Sequence, residues 1–107
     1  MSRANTIQSL IDQGENSSVE FKSSAVRPES LAREIVAFSN SSGGTILIGV
    51  DDDGQVTGIK DRENIEEWVT NVVRNNIIPA TNPKIYSVQH KEQAVIVVDV
   101  TRGQDKP

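Results

Sequence analysis

The segment 37–59, AFSNSSGGTILIGVDDDGQVTGI, constrains the fold more than any other part of the chain. Apolar residues before Gly43 follow helical spacing, and the run TILIGV after Gly43 and Gly44 is typical of a strand, so the order is helix, glycines, strand. A phosphate-binding loop needs the opposite order, because free N–H groups at a helix start must face the anion. We therefore interpret the glycines as a helix stop with positive φ, and ATP is disfavoured as a ligand.

The remaining segments predict three helices and about five strands. Apolar residues recur at helical spacing in three stretches: NTIQSLIDQGE, PESLAREIVAFSN and DRENIEEWVTNVVRNNI. Strand patterns occur in SVEFK, in TILIGV with QVTGI, and in KIYSVQH with AVIVVDV. We predict an α+β fold in which a mixed sheet of about five strands, two hairpins plus an N-terminal strand, packs with three helices. The nearly all-apolar AVIVVDV is expected in the centre of the sheet, covered on both faces.

Composition excludes several classes of site and of location. The chain has no cysteine, so it has neither disulfides nor thiolate metal ligands. His90 is the single histidine, which argues against a zinc cluster, and we interpret it as an exposed residue at a strand end. No apolar run approaches the roughly 20 residues of a membrane helix, and the start MSRANTIQSL lacks the apolar region of a signal peptide. We predict a cytoplasmic protein that does not associate with a membrane.

The charge balance sets a condition on any nucleic-acid partner. The net charge is −4, and neither half of the chain has an excess of basic residues. Binding to phosphates would therefore need a local basic cluster, a metal ion, or other parts of a longer chain. Five basic residues could converge on one face, although so few are also expected by chance: Lys22, Arg27, Arg33, Lys60 and Arg62.

Carboxylates supply a second candidate site. Glu15 and Glu20 flank the turn into the first strand, Lys22 follows on the same strand face as Glu20, and Asp51 ends the TILIGV strand. Carboxylates with a nearby lysine are what Mg²⁺- or Mn²⁺-dependent phosphodiester cleavage requires, because oxygen ligands hold the ion and the amine can position phosphate or water. The simpler reading is that Glu20 and Lys22 are solvated and that Asp51 suits a turn. Both readings remain open from the residues alone.

The chain resembles a known family. ENSSVEFKSS, EIVAFSNSSGGTILIGVDDDGQVTGI, NNIIP and AVIVVDV are similar to the AlbA-type domain of Schlafen proteins and bacterial transcriptional regulators, formerly called the divergent AAA domain. The resemblance runs from Glu15 to the end of the chain. It implies a single domain over residues 1–107, forming the N-terminal part of a longer chain. It also implies a nucleic-acid-binding role in transcriptional regulation, with DNA favoured over RNA and no cofactor required for binding.

The Schlafen branch of the family implies an alternative function. There the domain can be a metal-dependent endoribonuclease acting on structured RNA such as tRNA. Its acidic triad would correspond by position to Glu15, Glu20 and Asp51, which would hold Mg²⁺ or Mn²⁺, with Lys22 beside them. This chain lacks the doubled domain and the zinc ligands of that branch. A third hypothesis is a homodimerisation or interaction module without its own nucleic-acid site.

Overall fold

Three helices and four strands form the described part of the protein. The structure is a computed structural model, and it describes residues 3–59, 64–76 and 83–102. In chain order the elements are α1 (Arg3–Gln13), β1 (Val19–Lys22), α2 (Pro28–Ser39), β2 (Gly44–Ile48), α3 (Ile65–Asn76), β3 (Lys84–His90) and β4 (Gln93–Val100). The predicted α+β class is confirmed.

The four strands form one mixed sheet with the order β1-β2-β4-β3. β1 runs parallel to β2, with Phe21 opposite Leu47, and α2 makes the crossover between them. β4 pairs antiparallel with β2 on one side and with β3 on the other. Because β1 and β2 are parallel, their carboxyl ends lie at the same end of the sheet.

Helices cover both faces of the sheet, so the core has two layers. On one face, β2 and β4 pack against α2 and α3, which contribute Leu31, Ile35 and Val69. On the other face, Ile7 of α1 packs with Phe21 and the opposite side chains of the strands. Successive residues of β4 alternate between the two clusters, and residues 95–98 are all at most 2% exposed. The predicted central, doubly covered position of this strand is confirmed, and each such side chain contributes about 1.5–3 kcal/mol.

The sheet has four strands because QVTGI forms a loop. Its only bridge in the described chain joins Val56 to Val50, beyond the end of β2. Both edges of β2 are already occupied, by β1 and by β4, so no edge remains for a hairpin partner. The second hairpin is formed as predicted, and Lys91 and Glu92 make its two-residue turn with φ of 54° and 64°.

His90 is buried, which corrects its interpretation as an exposed residue. It does end β3, but only 8% of it is exposed. Its Nε2 lies 2.9 Å from Oε1 of Gln8 on α1, and the Gln8 amide in turn donates to Asp12 at 2.8 Å. This part of α1 therefore lies over the end of β3, a contact between residues far apart in the sequence.

Candidate functional site

A pocket of about 500 Å³ lies where β1 and β2 end. The main-chain oxygen of Lys22, the last residue of β1, accepts the N–H of Gly49 at 2.7 Å and that of Val50 at 3.3 Å. These bonds hold the loop after β2 beside β1. The pocket is lined by Glu15, Glu20, Phe21, Lys22, Ser23, Val50, Asp51 and Asp52. All four residues of the predicted carboxylate site thus lie around one pocket.

Glu15 reaches this pocket because the chain turns tightly between α1 and β1. Gly14 ends the helix with φ of 77°, and its N–H bonds to the Ile11 oxygen at 3.0 Å. The Glu15 side chain then accepts the N–H of Phe21 at 3.0 Å through Oε2. This turn brings the Glu15 side chain close to Glu20, five residues further along the sequence.

Asp51 shapes the loop after β2 and also lines the pocket. Its Oδ1 accepts the backbone N–H groups of Asp53 and Gln55, both at 2.9 Å. A carboxylate that accepts N–H groups two and four residues ahead is a usual turn-forming arrangement. The interpretation of Asp51 as a turn residue is therefore correct. The same residue also lines the pocket.

The three predicted metal ligands share a pocket without forming a ligand set. Among the described residues, no group of three or more Asp, Glu, His or Cys side chains is arranged to hold a metal ion. Carboxylates are the oxygen donors that Mg²⁺ and Mn²⁺ take. Glu15, Glu20 and Asp51 thus have suitable chemistry, but their side chains would have to turn toward a common point.

Lys22 is held between β1 and α2. Its Nζ donates to Ser30 Oγ at 3.2 Å and forms ion pairs with Glu34 Oε2 at 3.7 Å and Glu20 Oε2 at 3.8 Å. Sequence reasoning missed Ser30 and Glu34. The signal available was their spacing of four on a predicted helix, which places them on one face. The spacing does not show that Lys22 contacts them, because this contact depends on how α2 crosses from β1 to β2.

Glu20 has a perturbed acidity. Burial raises the pKa of its carboxyl above the ordinary value of 4.5, the negative charges of Glu34 and Glu15 act in the same direction, and a hydrogen bond with Glu15 adds to them. Lys22 opposes this by lowering the pKa of Glu20. Crowded carboxylates with perturbed pKa values are common at functional sites.

The predicted basic residues lie in part around the start of α2. Arg27 immediately precedes the helix, Arg33 lies in its second turn, and both are exposed. Lys22 contacts the same helix through Ser30 and Glu34. Lys60 and Arg62 fall outside the described residues, so convergence of all five remains a prediction.

The glycine pair behaves as the order of elements predicted. α2 ends at Ser39, and Gly43 follows with φ of 89°, its N–H bonded to the Phe38 oxygen at 2.9 Å. Gly44 opens β2, and a Cβ there would lie 2.6 Å from the Phe38 ring. The helix stop is confirmed, with the positive φ at Gly43. That ATP does not bind at these glycines remains a prediction.

Fold and pocket together define an α+β domain with carboxylates and one lysine at the end of two parallel strands. Residues 15–107 match the family described as Schlafen, AlbA_2, and the chain belongs to this family. The resemblance predicted from the sequence is thereby confirmed.

Solved structures share the fold. The crystal structure of the DIP2311 protein from Corynebacterium diphtheriae matches with a TM-score of 0.63 and 17% identity, over 96% of this chain and 26% of that one. The chain thus spans about a quarter of the matching protein, and at this identity the likeness concerns the fold alone. No curated protein matches the chain. Within the described residues, no helix has the length and apolar character to cross a membrane.

Proposed function

We propose that this chain is a nucleic-acid-binding domain of a bacterial transcriptional regulator in the cytoplasm, with DNA favoured over RNA. The observation that carries the proposal is membership of the Schlafen, AlbA_2 family over residues 15–107. The preference for DNA rests on the resemblance to bacterial regulators.

Contacts to phosphates would come from the start of α2. The net charge of −4 and the carboxylates of the pocket repel nucleic acid, so attraction must be local. Arg27 and Arg33 are exposed there and fit this role. With the two phosphate contacts from these arginines, a slope of about −0.9 per contact lowers the affinity about 12-fold between 50 and 200 mM salt.

Titration of the full-length protein with labelled duplex DNA, single-stranded DNA and RNA tests this proposal. Arg33→Gln is expected to weaken binding to every sequence and to reduce the salt slope by about one. Arg74→Gln, an equal change at an exposed position of α3, serves as the control. Absence of binding to all three probes at low salt contradicts the proposal. Tighter binding to RNA than to DNA contradicts the preference for DNA.

The shared pocket favours one second candidate, a divalent-metal-dependent endoribonuclease acting on structured RNA. Glu15, Glu20 and Asp51 would hold Mg²⁺ or Mn²⁺, and the ion would supply charge neutralisation at the phosphate. Lys22 lines the same pocket and would orient a phosphate oxygen.

Incubation of the full-length protein with tRNA and Mn²⁺ tests this candidate. Glu20→Gln keeps the shape of the side chain and removes its charge, so cleavage and calorimetric Mn²⁺ binding should both fall at least tenfold. Asp53→Asn is the control, because Asp53 is exposed and is not among the residues lining the pocket. Equal cleavage by wild type and Glu20→Gln, or none by either, ends the idea.

A further inference from the structure

Lys22 is the single basic residue among those that line the pocket in the described part of the chain. A phosphate entering there would meet several carboxylates and this one ammonium group. The availability of Lys22 therefore decides whether the pocket attracts or repels a phosphate.

In the structure this ammonium group is already engaged. Only 18% of the Lys22 side chain is exposed, and its Nζ has oxygen partners on Ser30, Glu34 and Glu20. Two of the three partners, Ser30 and Glu34, belong to α2. They hold the amine at the helix, and the two carboxylates more than offset its single positive charge.

We propose that Glu34, together with Ser30, restrains Lys22 against α2 and so limits the affinity of the pocket for phosphate groups. Glu34 is a positioning residue, since it acts through Lys22 and is not among the residues that line the pocket. A phosphate binds when it replaces Glu34 as the ionic partner of Lys22. The expected effect on nucleic-acid binding rests on the proposed function. The restraint of Lys22 can be measured without nucleic acid.

The expected size follows from the nature of the ion pair. The Glu34 side chain is 31% exposed, and a partly exposed pair at 3.7 Å is screened by solvent. Such pairs change equilibria by about 1.5- to 5-fold. Glu34→Gln should therefore tighten binding of a fluorescein-labelled duplex DNA to the full-length protein by about that factor at low salt. Ser30→Ala removes one hydrogen bond without changing the net charge and should act in the same direction more weakly.

Two controls separate restraint from a general effect of charge. Glu29→Gln removes one exposed negative charge from the first turn of the same helix, at a position with no contact to Lys22 among the described interactions. It should tighten binding less than Glu34→Gln does. In a Lys22→Met background, Glu34→Gln should lose its excess over Glu29→Gln, because the residue through which it acts is missing.

Amine labelling measures the restraint directly. The rate at which an N-hydroxysuccinimide ester modifies Lys22, read by peptide mass spectrometry against exposed Lys84, should rise about twofold or more in Glu34→Gln, in line with loss of a partly exposed ion pair. Ser30→Ala should also raise it, and Glu29→Gln should leave it unchanged.

The outcomes are distinguishable. If no form binds nucleic acid, the proposed function fails, and labelling still decides the restraint. The inference is overturned if labelling of Lys22 is unchanged in both Glu34→Gln and Ser30→Ala. It is also overturned if Glu34→Gln weakens DNA binding, leaves it unchanged, or tightens it equally with and without Lys22.

Discussion

The two loops that flank β2 use similar residues for different purposes. In the loop before the strand, SSG, the Gly43 N–H is bonded to the end of α2, and there is no space for a Cβ at Gly43 or at Gly44, the first residue of β2. The loop after it, GVDDDG, bonds to β1 through backbone atoms and presents Asp51 and Asp52 to the pocket. Tight packing therefore determines the glycines of the first loop, whereas the second loop places carboxylates around the pocket at the ends of β1 and β2. Glycine content alone does not indicate a binding loop.

The largest expected effect comes from placing a side chain in the first loop. In Gly43→Ala the new Cβ would lie 2.6 Å from the Val100 backbone oxygen, and the residue would keep a φ of 89°. Crowding against backbone and left-handed strain add, so the free energy of unfolding should fall by about 3 kcal/mol. Urea denaturation measures it.

Gly54→Ala in the second loop is the matched control for this substitution. Its φ is 85°, but the closest atom to a Cβ there is Ile11 Cγ2 at 3.5 Å, an ordinary contact. Only the backbone strain remains, which costs about 1–2 kcal/mol. Equal losses at the two glycines would show that the loops do not differ in packing.

A smaller effect should separate the two roles of Asp51. Asp51→Ala removes the acceptor of two backbone hydrogen bonds, so we expect a loss of about 1–2 kcal/mol in the free energy of unfolding. Asp51→Asn keeps an oxygen at the Oδ1 position and should cost about 0.5 kcal/mol or less. Urea denaturation of both variants gives the comparison. A large loss in Asp51→Asn would mean that the charge stabilises the loop, and the variant could then not isolate a role in the pocket.

Local sequence patterns correctly predicted the helices and strands whose own residues are enough to indicate them. α2 and α3 follow from apolar spacing, and the central position of β4 follows from its continuous apolar run. The loop at QVTGI looked like a strand because its own residues suit one. It is not a strand because β1 and β4 already occupy both edges of β2. That information lies in pairing between distant segments.

The candidate site shows the same division. Glu15, Glu20, Lys22 and Asp51 were predicted from residue type, spacing and family resemblance, and they do line one pocket. Glu34 was missed because its role depends on α2 crossing beside the end of β1, where it meets Lys22. The burial of His90 was missed because its partner Gln8 belongs to the first helix. Each missed residue makes a contact across elements.

The smallest expected effect is a pH-dependent one at Glu20. Its pKa is raised in the folded protein, so the protonated form favours folding. That contribution is fully present below the ordinary pKa of 4.5 and is lost as the pH rises through the raised pKa. Glu20→Gln, which stays neutral, should therefore unfold at a higher temperature than wild type at pH 7, and the difference should shrink toward zero below pH 4.5. Thermal unfolding across this range measures it. A Glu20→Gln protein less stable than wild type at pH 7 would mean that the ion pair with Lys22 outweighs burial and the neighbouring carboxylates.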